Sequence, residues 1–517
     1  MAGVLTKLQD MFQNITLDDI KEFCKNTVNL RTFLVFGVCS GLWLLMRKPR
    51  GIPPGPRFTL PFVGDLLSLD GGDGDVRIST RKLRKQYGDI FSVYFGPKLF
   101  IFINGYDLIK EALVKRADVF SNRPPMFIND ILARKKGIVF SSGKLWKEQR
   151  KFALETLREF GFGRTVLEDK ILEEIGYYVE GIGKHNGKAF NMRRLTQASV
   201  SNVISSIVYG QRFDYGDPVF NNFVEKFEEI FAVAGFVGLL NFLPILRFLP
   251  GDFFKFKRTM RNSQGIDRII IEPSIKDHLK NYDENNTNDF ISSYIKEMKR
   301  VEETGEESTI DKDNLIRSVK DLFVAGTETT STTIQWTILY LLHNPDVQAR
   351  CYKEIQDVVG SGRLPSIADR SDMPYIQAAL HEVLRISNIV VTGTPHTVDE
   401  DVIFHGYVIP KHTVVFANLD SVLADDTVWG DAGVFRPERF LDENGQLVKR
   451  EEFIPFSIGR RACLGESLAK MELFLFMTTL IQRFEFKPVD PDNLPTLKGV
   501  IGITHTPTQY EVIAAPR

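Results

Sequence analysis

The chain is short of cysteine, of net charge and of long apolar runs, and each shortage excludes something. Of 517 residues only four are cysteine: Cys24, Cys39, Cys351 and Cys463. They form no C-x-x-C pair and no finger spacing, which argues against a disulfide framework or a structural zinc site and for a reducing compartment. The formal net charge is -1, without the basic excess of a nucleic-acid binder. No internal repeat and no long flexible linker divides the chain, so one large domain accounts for most of it.

Uncharged apolar sequence is concentrated in one place, residues 32–46. A membrane-spanning helix needs roughly 20 residues. Starting at Val28, with Arg31 snorkelling, brings the run close to that length. Arg47, Lys48 and Arg50 follow, then Pro53-Pro54-Gly55-Pro56. Residues 1–50 therefore read as an uncleaved anchor with a basic stop and a stiff proline hinge, and 51–517 as the main domain. A buried core helix is the alternative. The basic residues after the run favour a cytosolic main domain, with Lys25 and Arg31 pulling the other way.

Along the main domain, 60–69 is apolar and loop-like and ends in the turn Gly71-Gly72-Asp73-Gly74. Residues 77–87 read as a charged helix, and Ile90–Phe95 and 99–103 as strands of a hairpin split at Gly96-Pro97. Residues 106–117 return to helical spacing, and helical patterns dominate from about 145 to 345. The stretch 223–257 is rich in Phe and Leu and broken at Pro244 and Pro250. It reads as cavity lining, as a membrane-surface segment or as ordinary core. The charged segment 296–313 reads as an exposed loop before a long helix, 314–342, closed by Asn344-Pro345. A helix over 373–386, strands at Val402–Phe404 and Val414–Ala417, and a β tail over 499–512 complete a mainly α fold with a small β portion, α+β by class.

The chemistry centres on Phe456-Ser457-Ile458-Gly459-Arg460-Arg461-Ala462-Cys463-Leu464-Gly465. Glycines let this backbone turn tightly and approach a flat group. A cysteine just before a helix N-terminus has its thiolate favoured by free N–H groups and the helix dipole. The bland alternative is a buried structural cysteine. In the long helix, Ala325-Gly326-Thr327-Glu328-Thr329-Thr330 tolerates residues of low helix propensity. That fits either a kinked core helix or a site where a ligand meets the backbone. Glu382 and Arg385 stand at i and i+3, and Trp146 and Arg150 at i and i+4, so each pair shares a helix face.

F-x-x-G-x-R-x-C-x-G resembles the haem-binding loop of the cytochrome P450 family. A chance match is on the order of 10⁻⁴ to 10⁻³ per chain. The resemblance runs from the proline hinge to the tail. The strings WKEQRKF, FAGTETTSTT and FSIGRRACLGE are similar to the microsomal family-2 branch, and within it to members that hydroxylate or epoxidise polyunsaturated fatty acids. It implies a haem-thiolate monooxygenase with haem b (iron protoporphyrin IX), its iron held by Cys463. It implies propionate contacts from Trp146, Arg150, Arg461, Arg123 and His396, and a loop shaped by Phe456, Gly459 and Gly465. Glu382, Arg385 and the Arg439 of Pro437-Glu438-Arg439-Phe440 match the family's buried structural triad. Thr329 and Glu328 match its oxygen-activating pair, Thr329 contacting the dioxygen or its water and Glu328 relaying protons. That pair favours monooxygenation over peroxide rearrangement and over a non-enzymatic haem carrier.

The sequence carries no flavin or nicotinamide fingerprint of its own, which implies a separate electron donor. In the microsomal branch this is NADPH–cytochrome P450 reductase in the endoplasmic reticulum membrane, with cytochrome b5 as an occasional second donor. Lys144, Lys147, Lys151 and Arg158 form a basic stretch suited to an acidic partner, or a plain solvated face. Family position places a lipophilic substrate against 127–138, 231–242, Ala325, Thr329, 389–394 and 501–503.

Overall fold

The computed structural model describes residues 75–160 and 165–517, with 37, 41, 48–56, 59, 64 and 65 ahead of them. The expected anchor, and most of the loop and turn expected over 60–74, lie outside the described residues. Among the described residues no helix is long and apolar enough to cross a membrane.

Eleven longer helices carry the described chain: α1 (Val76–Tyr87), α2 (Gly143–Glu159), α3 (Thr165–Gly183), α4 (Arg193–Val208), α5 (Pro218–Ala232), α6 (Phe256–Ile266), α7 (Phe290–Thr304), α8 (Lys312–His343), α9 (Pro345–Val358), α10 (Pro374–Ser387) and α11 (Glu466–Arg483). The β portion is small. Strands β1 (Ile90–Phe95) and β2 (Lys98–Ile103) form the expected hairpin, with Phe95 opposite Lys98 across Gly96-Pro97. Strand β6 (Val414–Ala417) joins β2 in parallel, and β3 (His396–Thr397) closes the sheet order β1-β2-β6-β3. Three two-stranded ribbons accompany it: β4 (Val402–Phe404) with β5 (Tyr407–Ile409), β7 (Phe484–Pro488) with β10 (Val512–Pro516), and β8 (Gly499–Ile501) with β9 (His505–Pro507).

Helix α8 is the central rod. Asp311 caps its start by accepting a hydrogen bond from the Asn314 N–H at 2.7 Å, and Asn344-Pro345 ends it as the sequence predicts. Most of its length is buried. It packs closely on α4, where the buried Ser201 hydroxyl meets Thr327 at 3.4 Å.

Two expectations need correction. The segment 296–313 is not a loop: α7 runs to Thr304, and only Gly305 to Asp311 is irregular. Phe290, Ile291, Tyr294 and Ile295 bury one face, and the charges that suggested a loop cover the other. Gly305, left-handed at φ 65°, supplies the stop. The stretch 106–117 is not one regular helix: an α turn gives way to a π segment, Glu111–Lys115, before Ala117–Phe120.

Behind the cysteine loop, α10 is pinned by the expected triad. Arg385 grips both oxygens of Glu382, Nε to Oε2 at 2.7 Å and Nη2 to Oε1 at 2.8 Å. Arg439 Nε donates to Oε1 at 2.9 Å, and so does the Arg436 N–H. The remaining guanidinium donors reach the carbonyls of Leu423, Ala432 and Trp429. All three side chains are buried, so removing the carboxylate strips Arg385 of its ion pair and leaves Arg439 with Asp431 alone. Glu382→Ala should lose about 3–5 kcal/mol of stability, read from denaturant unfolding, the range for breaking a buried pair.

Candidate active site

The loop before α11 earns its glycines. Gly459 sits at φ 80°, and a Cβ there would strike the Leu113 carbonyl. Even Ser457 adopts the left-handed region, at φ 61°. The Cys463 N–H donates to the Phe456 carbonyl at 2.9 Å, which folds the loop back and turns the thiol toward an internal cavity of about 310 Å³. Cys463 is exposed, but into this cavity. Gly465 is the N-cap of α11 and also lines the cavity, as does Phe456.

Burial pushes the Cys463 thiol upward, with Glu466 adding to it; the Gly465 N–H and the Arg150 charge oppose this without reversing it. The helix start alone therefore does not make the thiolate that the sequence suggests. A metal ion held by Cys463 would favour the thiolate there.

Cation excess dominates one side of the cavity. Arg123, Arg150 and Arg461 all line it, and among the described residues none has a carboxylate partner. Arg461 donates to the carbonyls of Ser121 (2.7 Å) and Ser141 (2.6 Å) and lies 3.7 Å over the Trp146 ring. Arg123 donates to Pro395 O (2.7 Å) and Val139 O (3.1 Å), and Arg150 to Ala462 O (2.6 Å). Burial and the neighbouring guanidinium groups pull Arg123 down to about 9 and Arg461 to about 8. The Trp146 indole N–H is buried without an acceptor. Three cations and an unmet donor around an otherwise apolar cavity call for an anionic group with a flat apolar body. Haem, with two propionates, meets that requirement.

The distal wall comes from α8: Ala325, Gly326, Thr329, Thr330 and Thr333. Thr329 is half-buried, and its hydroxyl donates to the Ala325 carbonyl at 2.6 Å. Gly326 serves two partners, since it lines the cavity and a Cβ on it would also collide with Ile204 of α4.

Not every expected residue arrives. Glu328 faces away from the cavity: its Oε1 accepts from the Thr504 hydroxyl (3.0 Å) and from Thr332 (3.4 Å), and burial raises its pKa. At i−1 from Thr329 it lies about 100° around the helix, so the motif could not put both on one face. His396 does not line the cavity; it bonds the Phe120 carbonyl at 2.6 Å, and burial beside Arg123 holds it neutral. Of the expected substrate contacts, Ile138, Ala325, Thr329, Ile389, Val390, Gly393 and Thr394 line the cavity; 127–137, 231–242, Val391, Thr392 and 501–503 do not.

Two carboxylates were not legible in the sequence. Asp321 accepts from the N–H groups of Ile138 (2.8 Å) and Val139 (3.0 Å), fixing the loop whose carbonyls hold Arg123 and Arg461. Beside Lys320 it reads as an ordinary solvated charge. Glu472 of α11 is buried against the cavity with neither oxygen in a hydrogen bond.

The cytochrome P450 family model matches residues 53–514. Cytochrome P450 2J2 of Homo sapiens is 40% identical over 497 residues, covering 95% of this chain and 97% of its own. Cytochrome P450 2C3 of Oryctolagus cuniculus is 38% identical over 492 residues (93% and 99%). Cytochrome P450 2C8 of Homo sapiens is 39% identical over 487 residues (93% and 98%).

Burial lifts Glu472 to about 8, against an opposing pull from the Thr330 hydroxyl. An acid whose pKa rises on folding holds its proton more tightly in the folded state. Its presence therefore makes stability fall as pH rises from the unfolded value, 4.5, toward about 8. Glu472→Gln should flatten that fall, with a thermal midpoint gain larger at pH 8 than at pH 5. An unchanged slope in calorimetry would remove Glu472 as its source.

Proposed function

The chain belongs to the cytochrome P450 family, and we propose that it is a membrane-bound monooxygenase of lipophilic compounds, fed with electrons from NADPH by a separate reductase. Haem, as iron protoporphyrin IX, is the family's cofactor and supplies the oxygen-activating redox chemistry when bound. The reading is carried by one observation: the Cys463 thiol shares its cavity with three arginines that lack a carboxylate partner.

In this reading Cys463 would hold the haem iron through its thiolate. Arg123, Arg150, Arg461 and the Trp146 N–H receive the propionates, and neutral His396 supports Arg123 from outside the cavity. Phe456, Gly459 and Gly465 shape the loop. Glu382, Arg385 and Arg439 hold the layer behind it. The Thr329 hydroxyl, bonded to the Ala325 carbonyl at the cavity wall, would hold and donate a proton there. Glu328 stands one step back and resupplies protons from the Thr504 side.

Residues 1–50 act as the anchor and 51–517 as the catalytic domain. Ile245, Phe248, Leu249 and Phe253 are exposed, with Ile245 73% and Phe248 72% accessible, and support a second contact with the bilayer surface. The location is the endoplasmic reticulum membrane with the catalytic domain in the cytosol. Lys147, Lys151 and Arg158 form an exposed stripe along α2 and suit the acidic face of NADPH–cytochrome P450 reductase, with cytochrome b5 as a second donor. The largely apolar wall fits a fatty acid, steroid or xenobiotic, and polyunsaturated fatty acids come first in the screen.

With reductase present, the chain should consume O₂ and NADPH and yield oxygenated products identifiable by mass. Thr329→Ala should keep NADPH consumption while product per NADPH falls roughly tenfold or more, the scale of a lost proton-transfer group. Unchanged coupling would clear Thr329 of that role. Cys463→Ala should abolish the thiolate-type spectrum of the reduced carbon monoxide complex; its persistence would defeat the central assignment.

A further inference from the structure

Three residues stand between Trp146 and Arg150, none of which lines the cavity, and two of them, Glu148 and Gln149, share another role. Both turn to the irregular segment between α7 and α8. Glu148 takes three hydrogen bonds from it: Ser308 Oγ to Oε1 at 2.6 Å, Thr309 N–H to Oε2 at 2.8 Å and Thr309 Oγ1 to Oε2 at 2.7 Å. Gln149 Nε2 adds a bond to the Thr309 carbonyl at 2.8 Å. Its Oε1 accepts from Tyr294 of α7 (2.9 Å) and Ser318 of α8 (3.2 Å). One stretch of α2 thus ties down the connection and both helices it joins.

The connection itself reads Gly305-Glu306-Glu307-Ser308-Thr309-Ile310-Asp311, with acidic residues on both sides of the hydroxyls and Asp311 three places beyond Ser308. Residues 302–307 are all exposed, while Ser308 and Thr309 are half-buried by the contact with Glu148. The cations at this point already have carboxylate partners: Lys144 with Glu307 at 3.0 Å, Arg300 with Glu306 at 2.6 Å and Lys136 with Asp311 at 3.9 Å.

We propose that Ser308 is a phosphorylation site for an acid-directed protein kinase, and that its contact with Glu148 is a latch that phosphorylation opens. The flanking carboxylates complement a basic kinase cleft, a charge pattern that such enzymes use for selection. In the step, the Oγ–P bond forms as the bond between the γ-phosphoryl group and ADP breaks, and the hydroxyl proton passes to the kinase's base. The product carries a charge of about −1.5 to −2 at neutral pH in place of a donated proton. That charge would stand against the Glu148 carboxylate, among Glu306 and Glu307. The hydrogen bond is lost, like charges meet, and the segment leaves α2. Because a kinase needs the segment extended, modification captures its open form. Helix α2 carries Trp146 and Arg150 on one face and the Lys147–Lys151 stripe on another, so the latch bears on both. That effect on turnover rests on the monooxygenase reading; the latch itself does not.

The test uses the full-length, haem-loaded chain with casein kinase II and ATP. Peptide mass analysis should place phosphate on Ser308, absent from Ser308→Ala. A glutamate-specific protease should then cut at 306–307 roughly tenfold faster, the opening expected from a lost charge-assisted hydrogen bond. Ser308→Glu should reproduce this, and in a Glu148→Ala background it should add nothing, because the partner is gone. No phosphate on Ser308 overturns the proposal. So does unchanged cleavage after phosphorylation, or an equal effect of Ser308→Glu with and without Glu148. The kinase arm uses the unaltered chain, so a variant that fails to fold leaves the test standing. Cleavage is read without reductase or substrate, so its outcome is separate from that of the proposed activity.

Discussion

Three guanidinium groups that share a cavity, none of them paired with a carboxylate among the described residues, are the constraint on which the rest of the molecule is arranged. Buried like charges repel, and burial itself disfavours each of them. The chain spreads the cost over backbone carbonyls: Ser121, Ser141, Val139, Pro395 and Ala462 all point at Arg123, Arg150 or Arg461. Those carbonyls belong to loops, and the loops are held in turn by Asp321 of α8 and by the turn before α11. A dianionic cofactor completes the balance, so cofactor binding and the ordering of this layer are linked free energies.

Much of this was legible because the chemistry is local in sequence. The cysteine loop, the α8 segment and the Glu382–Arg385 pair each occupy ten residues or fewer, and short-range spacing fixes what faces what. The hairpin, the stop at Asn344-Pro345 and strands β4 and β6 were readable for the same reason. What was harder to read was of two kinds. Charge hid α7, because a helix with a well-populated solvent face looks polar along its sequence although its other face is buried. The spacing of Glu328 and Thr329 also hides that a helix turns them about 100° apart, onto different faces.

Asp321 and Glu472 were illegible for a deeper reason. Each is one acidic residue on a helix, and nothing nearby in sequence distinguishes it from a solvated one. Their roles depend on partners far away in the chain, the N–H groups of Ile138 and Val139 in one case and the cavity wall in the other. Glu382 escaped this fate only because one of its two arginines lies three residues away and the other lies in a segment with its own pattern.

The sheet carries a consequence for how the molecule is made. Strand β2 pairs in parallel with β6, joining Phe100 to Val414 across more than three hundred residues. At about 5–20 residues per second, roughly a quarter of a minute to a minute of synthesis separates the two strands. For that interval the β1–β2 hairpin leaves the ribosome with Phe91, Val93, Phe100 and Phe102, a face that the finished protein buries, and with a row of unpaired N–H and C=O groups along β2. Such an edge is a template for pairing with the wrong chain. The nascent protein thus carries an uncovered sheet edge and apolar face in its first hundred or so residues long before its cofactor site exists.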